Sequence, residues 1–175
     1  MTNIQDGPFI VTGASGQLGR QVIDNLIAAG AGPIIAVSRS PEKLADLADK
    51  GVEARKGDFN DPASLSAAFA GGKRLLIIST DDLEPGKRLA AHKNAVAAAT
   101  KEGITHIVYT SLTNPVEESP ITFSKDHSDT EALIKETDEG QAKTADHRGY
   151  PNVRGHRKHQ GHQRHAQIHK TARAH

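Results

Sequence analysis

Short apolar runs alternate along the chain with segments whose apolar residues recur at helical spacing. The runs lie at residues 9–12, 33–37, 75–79 and 104–111, and residues 52–57 are a weaker strand candidate with the same place in the repeat. Such runs predict β-strands, and strands of about five residues without apolar and polar alternation are typical of parallel sheets covered on both faces. The pattern therefore predicts an α/β protein with helices on both sides of a parallel sheet.

The segments between the runs carry the signals of helices. One face of the first helix is shared by five apolar residues: Leu18, Val22, Ile23, Leu26 and Ile27. Ser40 with Pro41, and Asp61 with Pro62, are typical openings for the second and third helices. A longer helix is predicted over residues 86–102.

A last helix over residues 126–135 would use Ala132, Leu133 and Ile134 as its buried side. With right-handed crossovers, the five strands form a doubly wound, Rossmann-type sheet in the order 3-2-1-4-5. This domain would span residues 1–135, and its sheet would be incomplete on the C-terminal side because the pattern disappears from residue 136.

Residues 136–175 are a different kind of sequence. Residues 147–175 hold seven Lys and Arg residues, no Asp or Glu, and seven of the ten histidines. So polar a segment cannot bury enough apolar surface to offset its ordering entropy, and we expect a disordered His/Arg-rich tail. Metal chelation and nonspecific nucleic-acid binding by this tail are the alternatives, but residues 147–175 have no carboxylate, and their basic residues are not interleaved with aromatic ones. We predict no metal site and no specific nucleic-acid partner.

Composition excludes several classes of site. The chain has no cysteine, which rules out disulfides, thiolate catalysis and cysteine-ligated metals. No apolar stretch approaches the roughly 20 residues of a membrane span, and residues 1–7 lack the features of a signal peptide. We therefore expect a cytoplasmic protein without a membrane partner, and the sequence gives no indication of its oligomeric state.

A glycine-rich loop lies between the first strand and the first helix. Gly13, Gly16 and Gly19 have the spacing G-x-x-G-x-x-G. In a dinucleotide site the first glycine permits a tight turn, the second admits the pyrophosphate, and the third lets the helix pack closely. The helix N-terminus adds free N–H groups that favour phosphate. The other expected cofactor-binding residues of this loop are Ser15, Gln17 and Leu18. A structural turn without ligand is the alternative.

The ends of the second and third strands bear on cofactor choice. An NAD-specific site carries Asp or Glu after the second strand, whereas this chain has Arg39. A guanidinium donates two parallel hydrogen bonds to a phosphate, so Arg39 favours NADP(H) over NAD(H) unless it is an ordinary surface residue. Asp58 and Phe59 are placed to border the adenine ring, with loop capping by Asp58 as the alternative.

Hydroxyl residues end the fourth and fifth strands. Ser79 and Thr80 follow the fourth strand, and Thr110 and Ser111 follow the fifth. Because ligands bind outside the carboxyl ends of parallel strands, these residues are expected to line the nicotinamide side of the site. Each of them could instead cap a helix or a turn.

The ordered set of these segments resembles the NmrA-like group of atypical short-chain dehydrogenases, in particular its NAD(P)H:quinone reductase branch. The resembling segments are TGASGQLG at 12–19, VSR at 37–39 with PEK at 41–43, GDF at 57–59, LLIIS at 75–79, HIVYTSL at 106–112, and His127 with Thr130 and Glu131. The resemblance implies a domain that binds NADPH and passes hydride to a quinone or a similar small molecule. In the family, a C-terminal substrate lobe follows.

The chain departs from its relatives in two ways. The Tyr-x-x-x-Lys dyad of ordinary short-chain dehydrogenases is replaced by Phe123 and His127, but the quinone reductase branch typically lacks that dyad. His127 is a candidate general acid, with an ordinary helix-surface histidine as the alternative. After residue 135 the family continues with a sixth strand, whereas the basic tail here resembles a truncation or a shifted reading frame.

The sequence therefore predicts an NADP(H)-dependent oxidoreductase of quinone reductase type. The alternative is an NADP(H)-binding module, such as a redox sensor or an inactive truncated remnant, that holds the nucleotide without turnover.

Overall fold

The computed structural model describes residues 7–84, 86–115 and 119–137. Within these residues, five strands form one sheet in the order β3-β2-β1-β4-β5, and every neighbouring pair is parallel. The strands are β1 (Phe9–Val11), β2 (Ile34–Ser38), β3 (Val52–Lys56), β4 (Arg74–Ile77) and β5 (His106–Tyr109). The predicted fold class and strand order are confirmed, although most strands are shorter than the apolar runs that predicted them.

Helices connect the strands as expected. They are α1 (Gln17–Ala28), α2 (Pro62–Phe69), α3 (Lys87–Lys101) and α4 (Ser124–Glu136), with a 3-10 helix at Pro41–Lys50 in the second connection. Leu44 and Leu47 are both buried in that 3-10 helix, because residues three apart lie on one side when there are three residues per turn. Ser40 forms no side-chain cap, whereas Asp61 accepts a hydrogen bond from the Ser64 N–H.

The sheet is covered on both faces. On one face, a core around Leu65, Phe69 and Tyr109 joins the sheet to α2, α3 and α4. On the other face, Ile23 of α1 and Leu44 of the 3-10 helix pack against β1, β2 and β3. Two-sided burial explains why β2, with all five residues buried, reads as an apolar run, whereas the edge strand β3 buries only Val52 and reads as a mixed segment.

Two helices bury different faces from those predicted. Leu18 is 45% exposed, and it lies in the first turn of α1 next to Gln17, which is also exposed. In α4, Ala132 is exposed and only Ile134 of the predicted trio is fully buried, since three consecutive residues point in directions about 100° apart. The buried face of α4 is mainly polar, with Ser124, Asp126, His127 and Thr130. The surface interpretation of His127 is therefore wrong.

Side-chain hydroxyls join the carboxyl ends of the strands. Thr12 Oγ1 donates to the Leu76 carbonyl at 3.0 Å and accepts from the Ile78 N–H at 2.9 Å. Thr110 Oγ1 likewise accepts from the Ser79 N–H at 2.9 Å. These bonds hold β1, β4 and β5 together. They lie beside the boundary between β1 and β4, where the strand order reverses and where open α/β sheets bind ligands.

The predicted tail lies outside the described residues except for its first two positions. In the part of the chain that the structure describes, no helix has the length and apolar character needed to cross a bilayer.

Candidate functional site

A cleft of about 340 Å³ opens at the carboxyl edge of the sheet. The predicted site residues that line it are Gly13, Ser15, Gly16, Arg39, Asp58, Phe59, Ser79 and Thr80. The structure thus brings the glycine loop together with the ends of β2, β3 and β4. The predicted site residues that do not line it are Gln17, Leu18, Gly19, Thr110, Ser111 and His127.

The glycine loop is tightly folded against the start of α1. Gly13 has a φ of +59°, a conformation that favours glycine, and its carbonyl accepts a 2.9 Å hydrogen bond from the Gly16 N–H. A Cβ on Gly19 would lie 2.4 Å from the Gly13 oxygen and 2.8 Å from the Ala14 Cα. Gly19 therefore acts through packing of the helix against the loop, and Gly13 and Gly16 form the exposed wall of the cleft.

The N-terminus of α1 suits an anion. Gly16 is the N-cap and provides no side-chain cap, and the first turn contains no acidic residue. The first N–H groups of a helix have no intrahelical acceptor and carry partial positive charge. Gln17 and Leu18 can therefore contribute backbone N–H groups even though their side chains point to solvent. The loop and helix together fit the pyrophosphate of a dinucleotide.

Arg39 is exposed at the rim of this cleft. Among the described residues, no carboxylate lies within ion-pairing distance of its guanidinium. The neighbouring Ser38 is buried; its Oγ donates to Ser15 Oγ at 3.0 Å and accepts from the Ser40 N–H at 3.1 Å. The end of β2 is thus held against the glycine loop while the Arg39 side chain stays available to a ligand.

Asp58 and Phe59 line the cleft from the end of β3. Asp58 Oδ1 accepts a 2.9 Å hydrogen bond from the Asn60 N–H, so the carboxylate caps its own turn and also faces the cleft. The Phe59 carbonyl accepts from Asn94 Nδ2 at 2.8 Å, and its ring meets His92 edge-on with centroids 6.1 Å apart. The Asp58 carboxylate is therefore held by its own turn, and the Phe59 ring is held by its contact with His92.

Other residues contribute in ways that the sequence did not reveal. Ser111 donates to Glu131 Oε1 of α4 at 2.6 Å, and Thr110 accepts from the Ser79 N–H, so the two hydroxyls join the end of β5 to α4 and to the end of β4 instead of lining the cleft. Asp81 and Asp82 line the cleft beside Thr80. Their position in the loop that follows β4, next to Ser79 and Thr80, was a signal that could have identified them.

Behind the cleft lies a buried polar group that we name the histidine cluster: His92, Tyr109, His127 and Thr130. His92 Nε2 accepts from the Thr80 N–H at 3.3 Å, and its Nδ1 lies 3.1 Å from Thr130 Oγ1. Because Nε2 is an acceptor, the His92 proton is assigned to Nδ1. Tyr109 Oη lies 2.6 Å from His127 Nδ1. The cluster thus connects α3, β5 and α4 to the wall of the cleft.

Burial keeps this cluster neutral. Desolvation lowers the pKa of His92 to about 3, and the Coulombic effects of Arg88 and of His127 once it is protonated act in the same direction. Desolvation and Arg88 lower the pKa of His127 to about 4, against the opposing effects of Asp126 and Glu131. Burial also raises the pKa of Tyr109 above its ordinary value. His127 is therefore a neutral, hydrogen-bonded residue one layer behind the cleft, and its catalytic role stays a prediction.

The model of the NAD(P)H-binding family matches residues 13–147. Quinone oxidoreductase 2 of Escherichia coli is 37% identical over 128 residues, which make up 73% of this chain and 44% of that relative. Triphenylmethane reductase of Citrobacter sp., solved in complex with NADP(H), superimposes with a TM-score of 0.70 at 42% identity, covering 79% of this chain and 47% of its own.

The NADPH-dependent quinone oxidoreductase of Escherichia coli, solved in complex with NADPH, gives a TM-score of 0.68 at 35% identity, with coverage of 79% and 47%. This chain spans about half the length of the relatives it matches. The matched half contains the glycine loop, the parallel sheet and the cleft between them. By this match, the chain belongs to the NAD(P)H-binding family and is of the NmrA-like, atypical short-chain dehydrogenase type.

Proposed function

We propose that this chain binds NADP(H) in preference to NAD(H) and reduces a small quinone-like acceptor. The observation that carries the cofactor preference is the exposed Arg39 guanidinium, which lacks a carboxylate partner among the described residues and lies beside the glycine loop. A 2′-phosphate at the rim of the cleft would receive charge-assisted hydrogen bonds from the Arg39 guanidinium. A 2′-hydroxyl is neutral and would not need a cation there.

The acceptor class follows from the chemistry that the cleft offers. When bound, NADPH supplies a hydride, and a quinone that takes up this hydride needs only one further proton, from water, to become a hydroquinone. The described cleft wall presents hydroxyls and carboxylates but no histidine or lysine. An acceptor that needs no strong protein acid suits such a wall. The similarity to quinone oxidoreductase 2 supports the same class.

Titration of the purified full chain with NADPH, followed by an assay with benzoquinone, tests this proposal. We expect saturable NADPH binding and loss of NADPH absorbance that depends on both quinone and protein. Binding without oxidation would favour the alternative of a nucleotide-binding module. Absence of NADPH binding by a folded chain would contradict both functions.

Replacement of Arg39 by alanine should weaken NADPH binding by about 10- to 100-fold, because hydrogen bonds to a charged group contribute about 1.5–3 kcal/mol each. The affinity for NADH should hardly change. Lys43→Ala is a matched control, since Lys43 is an exposed cation nearby that does not line the cleft. Fluorescence titrations with both nucleotides measure the effect, and parallel losses for NADPH and NADH would contradict the assigned role.

A further inference from the structure

Two buried polar atoms have no hydrogen-bond partner among the described residues. They are Oγ1 of Thr80, which lines the cleft, and Nη1 of Arg88, which lies behind Thr80 and does not itself line the cleft. The two residues are in direct contact, because Arg88 Nε donates to the Thr80 carbonyl at 3.0 Å. Buried polar groups are normally satisfied, so two adjacent exceptions indicate a position built for a partner of its own.

Arg88 is also an unusual cation. It is 3% exposed, and its Cζ lies 4.5 Å from the centroid of the Phe123 ring. Within the described ranges no carboxylate comes within ion-pairing distance of it, and the Asp82 Oδ1 accepts instead from the Glu84 N–H at 3.0 Å. A buried charge is costly unless it is paired. The guanidinium therefore favours a partner with negative charge over a neutral one.

The place of these atoms in the fold connects them to the cleft. Thr80 lines the cleft, and so does Ala91, which follows Arg88 by three residues and so lies on the same face of α3. Arg39 lies on the β2 side of β1, and Thr80 lies on the β4 side. A dinucleotide bound across this crevice with its 2′-phosphate at Arg39 has its nicotinamide half on the Thr80 side.

We propose that Arg88 Nη1 and Thr80 Oγ1 form a subsite for a negatively charged oxygen of the acceptor, such as the enolate oxygen of a hydroxyquinone. This inference rests on the proposed function, because it places a quinone-like molecule at the β4 end of the cleft. Both groups can donate a hydrogen bond, and neither Oγ1 nor Nη1 has a hydrogen-bond partner in the part of the chain that the structure describes. Both atoms are buried in the unliganded chain, so the ligand oxygen reaches them only when the Thr80 and Arg88 side chains turn toward the cleft.

The test compares two ligands of similar shape and different charge, 2-hydroxy-1,4-naphthoquinone, an enolate at neutral pH, and neutral 2-methoxy-1,4-naphthoquinone. Calorimetric titrations use the full chain saturated with NADP⁺, so that no turnover occurs. We expect the wild-type chain to bind the enolate at least about tenfold more tightly than the methoxy compound, because a charge-assisted hydrogen bond contributes that much affinity or more. Arg88→Met should abolish this preference.

Thr80→Val is the second variant, because it removes only the unpartnered hydroxyl and keeps both backbone hydrogen bonds of Thr80. It should reduce the enolate preference while the melting temperature stays equal or rises, an outcome that a purely structural hydroxyl does not give. Arg74→Met controls for the loss of one positive charge, since Arg74 begins β4 at its opposite end. That control should keep the preference.

Equal binding of both naphthoquinones by the wild-type chain would overturn the subsite and leave the proposed function standing. An enolate preference that survives both Arg88→Met and Thr80→Val would overturn it equally. If neither naphthoquinone binds to the NADP⁺-saturated chain, the subsite is overturned, and the benzoquinone assay decides separately whether the proposed function stands. Should Arg88→Met not fold, the comparison of Thr80→Val with the wild type decides.

Discussion

Acidification from pH 7 to pH 5 should lower the free energy of unfolding by about 2 kcal/mol for each of two buried histidines, His92 and His127. Their pKa values in the folded chain are about 3 and about 4. A histidine whose pKa is lower in the folded state binds fewer protons there than in the unfolded chain. Its stabilising contribution is therefore complete above the unfolded pKa of about 6.5 and is lost as the pH falls toward the folded value.

The environment of the two rings explains why they resist protonation. His92 is fully buried, accepts a hydrogen bond from the Thr80 N–H through Nε2, and lies against Tyr109 with ring centroids 5.2 Å apart. A second proton on His92 would disrupt the bond at Nε2 and place a charge near the Arg88 guanidinium. His127 is 3% exposed and is held by Tyr109. Asp126 and Glu131 only partly compensate a charge at His127.

Urea unfolding at pH 7, 6 and 5 measures this effect in the wild type and in the double variant His92→Gln/His127→Gln. Glutamine keeps one donor and one acceptor but does not titrate, so the variant should lose much less stability over this range. Asp46 and Glu53, whose pKa values are lowered by Arg20 and Arg55, respond only at more acidic pH. The seven histidines of residues 147–175 are common to both proteins. Identical pH dependence would contradict the assignment.

Most of the fold could be predicted from local signals in the sequence. A parallel sheet covered on both sides leaves runs of apolar residues, and glycine after a helix leaves a turn with positive φ, as at Gly51 and Gly103. These features act over a few residues, so a single sequence displays them. The glycine loop and Arg39 were predictable for the same reason, because each directly follows a strand whose carboxyl end faces the ligand edge.

The histidine cluster was not predictable because its contacts are distant in the sequence. Thr130 and His92 are 38 residues apart, and Tyr109 lies between them on β5. In α4 the buried residues Asp126, His127 and Thr130 read as a solvated polar face, since their burial depends on α3 packing beside them. Polar residues become interior when partners from other elements satisfy them, and periodicity alone does not reveal those partners.

Alanine at two of the loop glycines should have opposite consequences for folding and for binding. Gly19→Ala places a Cβ 2.4 Å from the Gly13 oxygen and 2.8 Å from the Ala14 Cα. Both atoms belong to the backbone and cannot move without opening the loop, so we expect a loss of about 3 kcal/mol or more in unfolding free energy. Gly16→Ala meets only the Gly13 oxygen, at 3.2 Å, and its φ of −82° suits alanine.

Gly16→Ala should therefore cost no more than about 1 kcal/mol of stability. Its methyl group would nevertheless project from the exposed wall of the cleft, where the backbone must approach the pyrophosphate closely. We expect NADPH affinity to fall at least about tenfold, which is about 1.4 kcal/mol of binding free energy. Urea unfolding and fluorescence titration of both variants separate the two roles. Unchanged NADPH affinity in a stable Gly16→Ala chain would show that the nucleotide does not use this loop.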